Sequence, residues 1–298
     1  MNFKSGFVTI LGKPNVGKST LLNKLLRQKV SIVSPKAQTT RNKITGILNG
    51  ENYQIVFTDT PGIHKTKNEL DAYMQKSIDV AKKDVDIILY LLDATKKLDN
   101  EELKEIENYE KHSKLILVIN KTDEIKYEKL FEYLAKLNTI EGVKDIIPIS
   151  AVKGTNLDEL LNVLLKNLEE GPKYFDSTQI TDVSEKFLAS EIIREKALWL
   201  IQEEIPHGIA VQIDIFHEEE NLNKISATIF VEKESHKKIV IGNAGSMLKK
   251  IGEAARKEIE HVLNKKAFLE LWVKVKQNWR DSDILVNNLG YNKKDLDN

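Results

Sequence analysis

Short apolar runs recur along the first half of the chain, and amphipathic segments separate them. The runs lie at residues 7–11, 53–57, 85–92, 115–119 and 145–149. Strands covered by helices on both faces read as continuous apolar runs rather than as alternating ones. Up to about Leu168, the pattern therefore predicts an α/β domain with a mostly parallel sheet and helices on both faces.

The pattern changes after residue 170. Turn-forming residues cluster at 170–176, and a helix is predicted from Ser184 to about Glu204, where Pro206 would stop it. Two segments with alternating apolar positions follow, at 209–215 and 224–231, and they predict paired strands.

Two helices and a last strand at 267–276 complete this part, which predicts a second domain of the α+β class. We therefore divide the chain into a domain at 1–170, a linker at 171–184 and a domain with a C-terminal tail at 185–298. A chain of 298 residues is long enough to bury a separate core in each domain.

Composition excludes several classes of protein. The chain has no cysteine, which excludes disulfides and thiolate zinc sites. The residues after Met1 do not resemble a signal peptide, and no apolar run approaches the length of a membrane span. These features predict a cytoplasmic protein.

The net charge of zero hides an asymmetry. Residues 233–280 contain 12 lysines and arginines but only 5 acidic residues, so the rest of the chain is acidic. Such a distribution predicts that the C-terminal part binds a polyanion.

Residues 12–19 fit the phosphate-binding pattern G-x-x-x-x-G-K-[ST] and lie between a predicted strand and a predicted helix. Successive backbone N–H groups of such a loop surround an anion, and the helix N-terminus adds its dipole. Lys18 would reach the β- and γ-phosphates, and Ser19 would hold Mg²⁺. The predicted phosphate-site residues are Gly12, Asn15, Val16, Gly17, Lys18, Ser19 and Thr20.

Asp59 and Gly62 belong to a D-T-P-G segment that follows the strand at 53–57. The Asp59 carboxylate would hold Mg²⁺ through water, and the Gly62 N–H would contact the γ-phosphate. We assign direct roles in hydrolysis to Lys18 and Gly62.

Two further segments predict selection of guanine. Asp123, in N-K-T-D at 120–123, is able to accept from both N1–H and N2–H₂ of guanine, whereas adenine offers an acceptor at N1. Asn120 would bond N7, and the stem of Lys121 would lie along the base. Ser150, Ala151 and Val152 follow another strand and would approach O6 through their backbone.

These segments, in this order, resemble the translation-factor-related small GTPases. The resemblance implies a switch threonine that binds Mg²⁺ between the first two motifs, and Thr40 in Gln38-Thr39-Thr40-Arg41 fits it. It also implies a direct role in hydrolysis for Thr40. Thr39 is the alternative, since the sequence does not resolve the pair. Arg41 would either act as an arginine finger or order the switch, and we favour ordering.

Ile63 stands where Ras-like proteins place the glutamine that orients water. Isoleucine neither donates nor accepts a hydrogen bond, so it does not position the nucleophile. The resemblance implies slow hydrolysis and, with Asn15 in the phosphate loop, a potassium ion in place of an arginine finger. The alternative is that Asn15 only stabilises the loop turn. His64 is interpreted as a solvated loop residue rather than a catalytic one.

The second motif is the G-x-x-G turn at 242–245, between two predicted helices. It resembles the loop of K-homology (KH) domains of type II, which clamps about four nucleotides of a single strand. The predicted RNA-binding residues are Ile241, Gly242, Asn243, Ala244, Gly245, Lys249, Lys250 and Arg256.

The order of the two domains is similar to that of bacterial GTPases that carry one C-terminal type II KH domain. Residues 190–196 and 269–276 are also close to the pattern of that family. The resemblance implies a monomer that binds GTP, GDP and Mg²⁺, the 3′ end of 16S ribosomal RNA and the 30S ribosomal subunit. It also implies peripheral association with the inner membrane.

The sequence is consistent with two functions. The first is a slowly hydrolysing GTP switch that assists maturation of the 30S subunit, which we favour. The alternative is a nucleotide-sensing RNA-binding regulator at the membrane, without RNA-coupled hydrolysis.

The three tryptophans of the chain have different expected roles. Trp199 and Trp272 are predicted to pack in the core or between domains. Trp279, beside Arg280, is left open: it would cap the core or stack on a base.

Overall fold

The computed structural model describes residues 3–36, 38–110, 114–140, 143, 145–201 and 208–296. The strands are β1 Lys4–Leu11, β2 Ile44–Asn49, β3 Tyr53–Asp59, β4 Ile87–Asp93, β5 Lys114–Asn120, β6 Asp145–Pro148, β7 Ala210–Glu218, β8 Leu222–Val231 and β9 Lys266–Val275. The helices are α1 Lys18–Leu26, α2 Glu69–Ala81, α3 Asn100–Glu110, α4 Tyr127–Leu137, α5 Leu157–Asn167, α6 Glu185–Leu200, α7 Glu234–Ile241, α8 Ser246–Leu263 and α9 Asp283–Asn288.

The chain forms two compact units, and each consists of three segments that are separate along the sequence. Unit 1 comprises Met1–Ser31, Thr40–His64 and Ser77–Asp182. Unit 2 comprises Ile32–Thr39, Lys65–Lys76 and Val183–Asn298. Two short segments from the N-terminal half therefore group with the C-terminal part, so the domain boundaries drawn from sequence alone stay a prediction.

Unit 1 contains a six-stranded sheet in the order β2-β3-β1-β4-β5-β6. All neighbouring strands are parallel except β2, which pairs antiparallel with β3 at one edge. Every residue of β4 is buried, as expected for a strand covered on both faces. The prediction of a mostly parallel sheet is confirmed, and the carboxyl ends of its parallel strands meet at one edge.

The predicted linker is ordered along the edge of this sheet. The side-chain oxygen of Gln54 accepts from the backbone N–H groups of Tyr174 and Phe175, at 2.8 and 3.0 Å. The Ile47 N–H donates to the Ile180 carbonyl at 2.7 Å. Much of this segment is therefore an extension of unit 1.

Unit 2 contains a three-stranded sheet, in which β8 pairs antiparallel with β7 and parallel with β9. One face of the sheet packs on helices α6, α7 and α8 through a core that includes Ile193, Ile229, Val240, Ile251 and Ile259. This is the α+β arrangement predicted for the second domain.

Helix α6 is shorter than predicted. It begins after Ser184, whose side chain caps it by accepting from the Phe187 N–H at 3.2 Å. It ends at Leu200, because Ile201 is buried in an extended conformation. The prediction that this helix continues to about Glu204 is therefore wrong, because the helix ends at Leu200. Glu204 and Pro206 themselves lie outside the described residues.

Across the part of the chain that the structure describes, no helix is both long and apolar enough to cross a membrane.

Candidate guanine-nucleotide site and nucleic-acid interface

The phosphate loop between β1 and α1 depends on two glycines. A Cβ on Gly12 would lie 2.4 Å from the Leu91 carbonyl oxygen, and one on Gly17 would lie 2.3 Å from Asn120 Nδ2. Both glycines have a positive φ, as does Asn15 between them, at 63°. The loop is thus a left-handed turn packed closely on β4 and β5. Its geometry agrees with a turn-forming role of Asn15.

Lys18 is buried at the start of α1, below the loop. Its Nζ donates to the carbonyl oxygens of Gly12 at 2.8 Å and Lys13 at 3.0 Å. Burial lowers the pKa of Lys18 to about 8. Phosphate oxygens at the loop would favour the charged ammonium, so nucleotide binding and protonation of Lys18 support each other.

The predicted Mg²⁺ ligands converge around one carboxylate. Ser19 Oγ donates to Asp59 Oδ2 at 2.6 Å and lies 2.8 Å from Thr40 Oγ1. Ser31 Oγ also donates to Asp59 Oδ2, at 2.9 Å. Asp59 Oδ1 is buried without a hydrogen-bond partner among the described residues, and burial raises the pKa of this carboxyl. Two hydroxyls and an unpartnered carboxylate oxygen are the hard donors that Mg²⁺ prefers, so these residues fit the ion.

The geometry distinguishes the two threonines. Thr39 Oγ1 lies 2.7 Å from Ser34 Oγ and donates to the Lys36 carbonyl at 2.7 Å. Thr40, in contrast, contacts Ser19. This favours Thr40 as the switch threonine.

Gly62 packs against the phosphate loop. A Cβ at this position would lie 2.6 Å from the Pro14 Cα, a backbone atom that cannot move aside cheaply. The neighbouring Ile63 N–H donates to the Gly12 carbonyl at 3.2 Å, and its side chain packs against the apolar core. His64 Nδ1 lies 2.6 Å from the Gly62 carbonyl oxygen. Ile63 therefore serves packing, and His64 stays within its own loop.

Asn120 joins the phosphate loop to the segment at 150–152. Its Nδ2 donates to the Val16 carbonyl at 2.8 Å, and its Oδ1 accepts from the Ala151 N–H at 2.9 Å. Lys121 Nζ donates to Asp93 at 2.6 Å. Asp123 is exposed at the same edge of the sheet. The residues predicted for guanine are thus brought together, while their individual contacts with the base stay predictions.

Ser150 is buried, and its Oγ accepts from the Lys153 N–H at 3.1 Å. Val152 is 64% exposed at the tip of this loop. Because the Ala151 N–H is bonded to Asn120, its predicted approach to guanine O6 would require sharing that donor.

Two residues of this site escaped the sequence analysis. Ser31 belongs to no motif, and only the tertiary structure brings its hydroxyl to Asp59. Asp93 ends β4 as Asp59 ends β3, so a polar residue directly after a buried strand was a usable signal. Asp93 orients Lys121.

The G-x-x-G segment turns the chain between α7 and α8. A Cβ on Gly242 would lie 2.7 Å from both the backbone N and the Cβ of Met247, so this glycine permits close packing of the two helices. Gly245 has a φ of +80°, and a Cβ there would meet nothing within 4 Å. Ala244 also has a positive φ, at 49°. Gly245 is thus the open side of the turn, where a nucleic-acid backbone has room to approach.

The predicted RNA-binding residues near this turn differ in exposure. Asn243, Ala244, Lys249 and Lys250 are exposed, whereas Ile241 packs on the unit 2 core. The remaining one, Arg256, pairs with Glu260 at 3.1 Å, and its side chain is 42% exposed. Lys249 Nζ lies 4.0 Å from Glu253. The positive charge nearest the turn therefore comes from Lys249 and Lys250 at the start of α8, where the helix dipole also favours an anion.

The structure gives each tryptophan a different environment. Trp279 is fully buried, and its Nε1 donates to the Gly208 carbonyl at 2.9 Å, so it caps the core and does not stack on a base. Trp272 is 54% exposed, which corrects its predicted packing role, because its position on β9 faces away from the helices. Trp199 is 56% exposed, but its Nε1 donates to the Val33 carbonyl at 2.8 Å.

The segment Ile32–Thr39, directly before the switch threonine, is held by α6. Glu195 Oε1 accepts from the Val33 N–H at 2.8 Å. Arg194, fully buried, pairs with Glu191 at 2.6 Å and donates to the Thr39 carbonyl oxygen. Arg41, which follows the switch threonine, is buried too, in keeping with an ordering role.

Comparison with known proteins identifies the family. GTPase Era of Clostridium botulinum (strain Okra) is 50% identical over 293 residues, which cover 98% of this chain and 99% of that protein. The chain belongs to the Era family of GTPases. A family model described as 50S ribosome-binding GTPase matches residues 7–121, and one described as KH domain matches residues 204–280.

Solved structures of Era agree with the fold throughout. Era in complex with MgGDPNP and nucleotides 1506–1542 of 16S ribosomal RNA superposes with a TM-score of 0.94 at 42% identity, covering 97% of this chain and 99% of that one. An Aquifex aeolicus Era variant bound to GDP and AlF₄⁻ gives 0.94 at 41% identity, covering 97% and 100%. The predicted fold class, a P-loop GTPase domain followed by a KH domain, is confirmed.

Proposed function

We propose that this chain is a GTP-hydrolysing switch that binds the 3′ end of 16S ribosomal RNA and assists maturation of the 30S subunit. This proposal rests on one observation: a single chain of the Era family contains both a complete phosphate loop and an open G-x-x-G turn. The Era structure that contains both MgGDPNP and 16S ribosomal RNA supports the pairing of these two ligands.

Nucleotide binding would be carried out by groups already in place. The N–H groups of the loop and the Lys18 ammonium surround the phosphates, while Asp123 reads the base. Ser19, Thr40 and Asp59 would hold Mg²⁺, which offsets charge on the β- and γ-phosphates when bound. Asn120 links the phosphate loop to the segment at 150–152 through its hydrogen bonds with Val16 and Ala151.

Among the described residues of this site no side chain is placed as a general base, because Ile63 takes the place of a water-orienting side chain. Catalysis would therefore rest on positioning and on neutralising charge in the transition state. Lys18 and the Gly62 N–H supply part of that charge, and a monovalent cation near Asn15 would supply more. A slow intrinsic rate follows.

Potassium dependence is the first test of this scheme. We expect GTP hydrolysis by the full chain to be at least about tenfold faster in potassium chloride than in sodium chloride of equal ionic strength. Replacement of Asn15 by alanine should remove most of that difference while GDP binding persists. Equal steady-state rates in the two salts would exclude the cation and leave Asn15 with its turn-forming role alone.

Nucleotide state would reach the KH part through the chain itself. Thr40 continues directly from the segment that α6 holds in unit 2, and His64 continues into Lys65–Lys76 of the same unit. If Thr40 moves on loss of the γ-phosphate, the adjacent Thr39 carbonyl moves with it, which changes its hydrogen bond with Arg194. RNA affinity should therefore differ between the GTP and GDP forms.

The decisive experiment measures RNA binding by fluorescence anisotropy. A labelled strand from the 3′ end of 16S ribosomal RNA should bind the full chain at least about tenfold more tightly than a scrambled strand. Its affinity should also change between a GTP analogue and GDP. Binding that ignores both sequence and nucleotide would favour the alternative, in which RNA binding and hydrolysis are uncoupled.

A matched pair of variants locates the RNA site in that assay. Gly245→Asp would place a carboxylate on the open side of the turn and should weaken RNA binding at least about tenfold. Gly290→Asp is the control, because Gly290 also has a positive φ, +90°, and an equally open Cβ position. Equal losses in both variants would point to folding rather than to the turn.

We further propose that the protein acts in the cytoplasm. Peripheral association with the membrane and a monomeric state stay predictions.

A further inference from the structure

The outer face of the unit 2 sheet exposes large apolar side chains that the proposed function does not use. Phe268 and Trp272 on β9 are 59% and 54% exposed, and Ile215 on β7 is 58% exposed. The helices pack on the opposite face of this sheet, through residues such as Ile229 and Val273. This face also lies apart from the G-x-x-G turn, which joins α7 to α8.

The strand register places these side chains in one surface. Phe268 lies opposite Lys224 of β8, and Trp272 lies opposite Thr228. Ile215 lies opposite Ser226, on the other side of β8. Thr228 is buried and donates to Asp214 of β7 at 2.7 Å, so these two polar side chains are hydrogen-bonded to each other. The result is a surface with two rings that stand four residues apart, about 13 Å along the strand.

Charges on β9 are arranged around the rings. Lys266 and Lys274 are exposed, and by the alternation of a strand they share the outer face, one beyond each ring. Glu270 occupies the position between the rings, where a carboxylate accepts from base amino groups but repels phosphate. Cations at both ends and rings between them suit a nucleic-acid strand whose bases stack and whose phosphates flank them. An apolar protein surface would not need this distribution.

We propose that this outer face, formed by Phe268, Trp272, Lys266 and Lys274 with Ile215 beside them, is a second binding surface for single-stranded RNA. It takes unpaired bases by stacking. The inference rests on the proposed function, because it assigns part of the bound RNA to a surface other than the G-x-x-G turn. A turn of that kind holds only about four nucleotides.

The test uses the full chain and a labelled strand of about 20 nucleotides from the 3′ end of 16S ribosomal RNA, long enough to exceed the turn. Phe268→Ala combined with Trp272→Ala should weaken binding at least about tenfold. Trp272→Phe, which keeps a ring, should bind within about threefold of the unchanged chain. Tyr127→Ala combined with Phe131→Ala is the matched control, since it removes an exposed aromatic pair, 71% and 57% exposed, from α4 of unit 1.

The outcomes separate this inference from the proposed function. If Gly245→Asp weakens binding but the double β9 variant does not, this surface binds something other than RNA and the inference falls alone. Equal losses in Trp272→Phe and Trp272→Ala would also overturn it, because a stacked ring would not be what matters. If the unchanged chain fails to bind the strand, the proposed function and this inference fall together.

Discussion

Replacement of Asp123 by asparagine is expected to transfer the nucleotide preference of this protein from GTP to xanthosine triphosphate. The carboxylate accepts two hydrogen bonds from guanine, and a bond to a charged group contributes about 1.5–3 kcal/mol. Asparagine keeps one acceptor oxygen but sets its amide NH₂ against the guanine amino group, which should weaken GTP binding by at least about a hundredfold. Xanthine carries an oxygen where guanine carries N2–H₂, so the asparagine amide would donate to that oxygen while accepting from N1–H.

Competition of each triphosphate against a fluorescent GDP analogue measures this change. Asp123 is exposed at the edge of the sheet, so the substitution should leave the free energy of unfolding nearly unchanged. Glu124→Gln is the matched control, because Glu124 is the next residue and is also exposed. A chain with Asp123→Asn that still prefers GTP would show that another residue reads the base.

Replacement of Arg194 by alanine should produce the largest loss of stability. The guanidinium is fully buried, pairs with Glu191 and holds the Thr39 carbonyl oxygen. Removing one partner of a buried pair leaves the other charge uncompensated and typically costs about 3–5 kcal/mol. Urea unfolding, followed by circular dichroism, should register a loss of that size.

A second variant separates stability from signalling at this position. Changing both Arg194 and Glu191 to leucine removes the charges together and should recover most of the lost free energy of unfolding. It should not recover the difference in RNA affinity between the GTP analogue and GDP, because nothing would then hold the Thr39 carbonyl. If the double variant retains the full difference, α6 does not transmit the state of the switch.

The strand–loop–helix context of residues 12–19 was readable because a phosphate loop makes strict local demands. Gly12 and Gly17 are required where the backbone approaches Leu91 and Asn120, and no other residue type meets that demand. The apolar runs were equally informative, since a strand buried on both faces tolerates few polar residues. The turn at 242–245 was recognisable for the same reason as the phosphate loop.

Other features depend on residues that are distant along the chain. Nothing local distinguishes Thr39 from Thr40, and only the packing of the switch brings Thr40 to Ser19. The apolar character of Trp272 predicted burial, yet its exposure depends on which sheet face the helices cover.

The amino-acid sequence by itself determined the two folds, the phosphate loop and the choice of guanine, because periodicity, glycine positions and hydrogen-bonding groups act over short stretches. Only the tertiary structure decided that Ile32–Thr39 and Lys65–Lys76 group with the KH part. That grouping rests on contacts such as Arg194 with Thr39, which join residues 155 positions apart. Such contacts follow from the packing of whole elements, which no local pattern encodes.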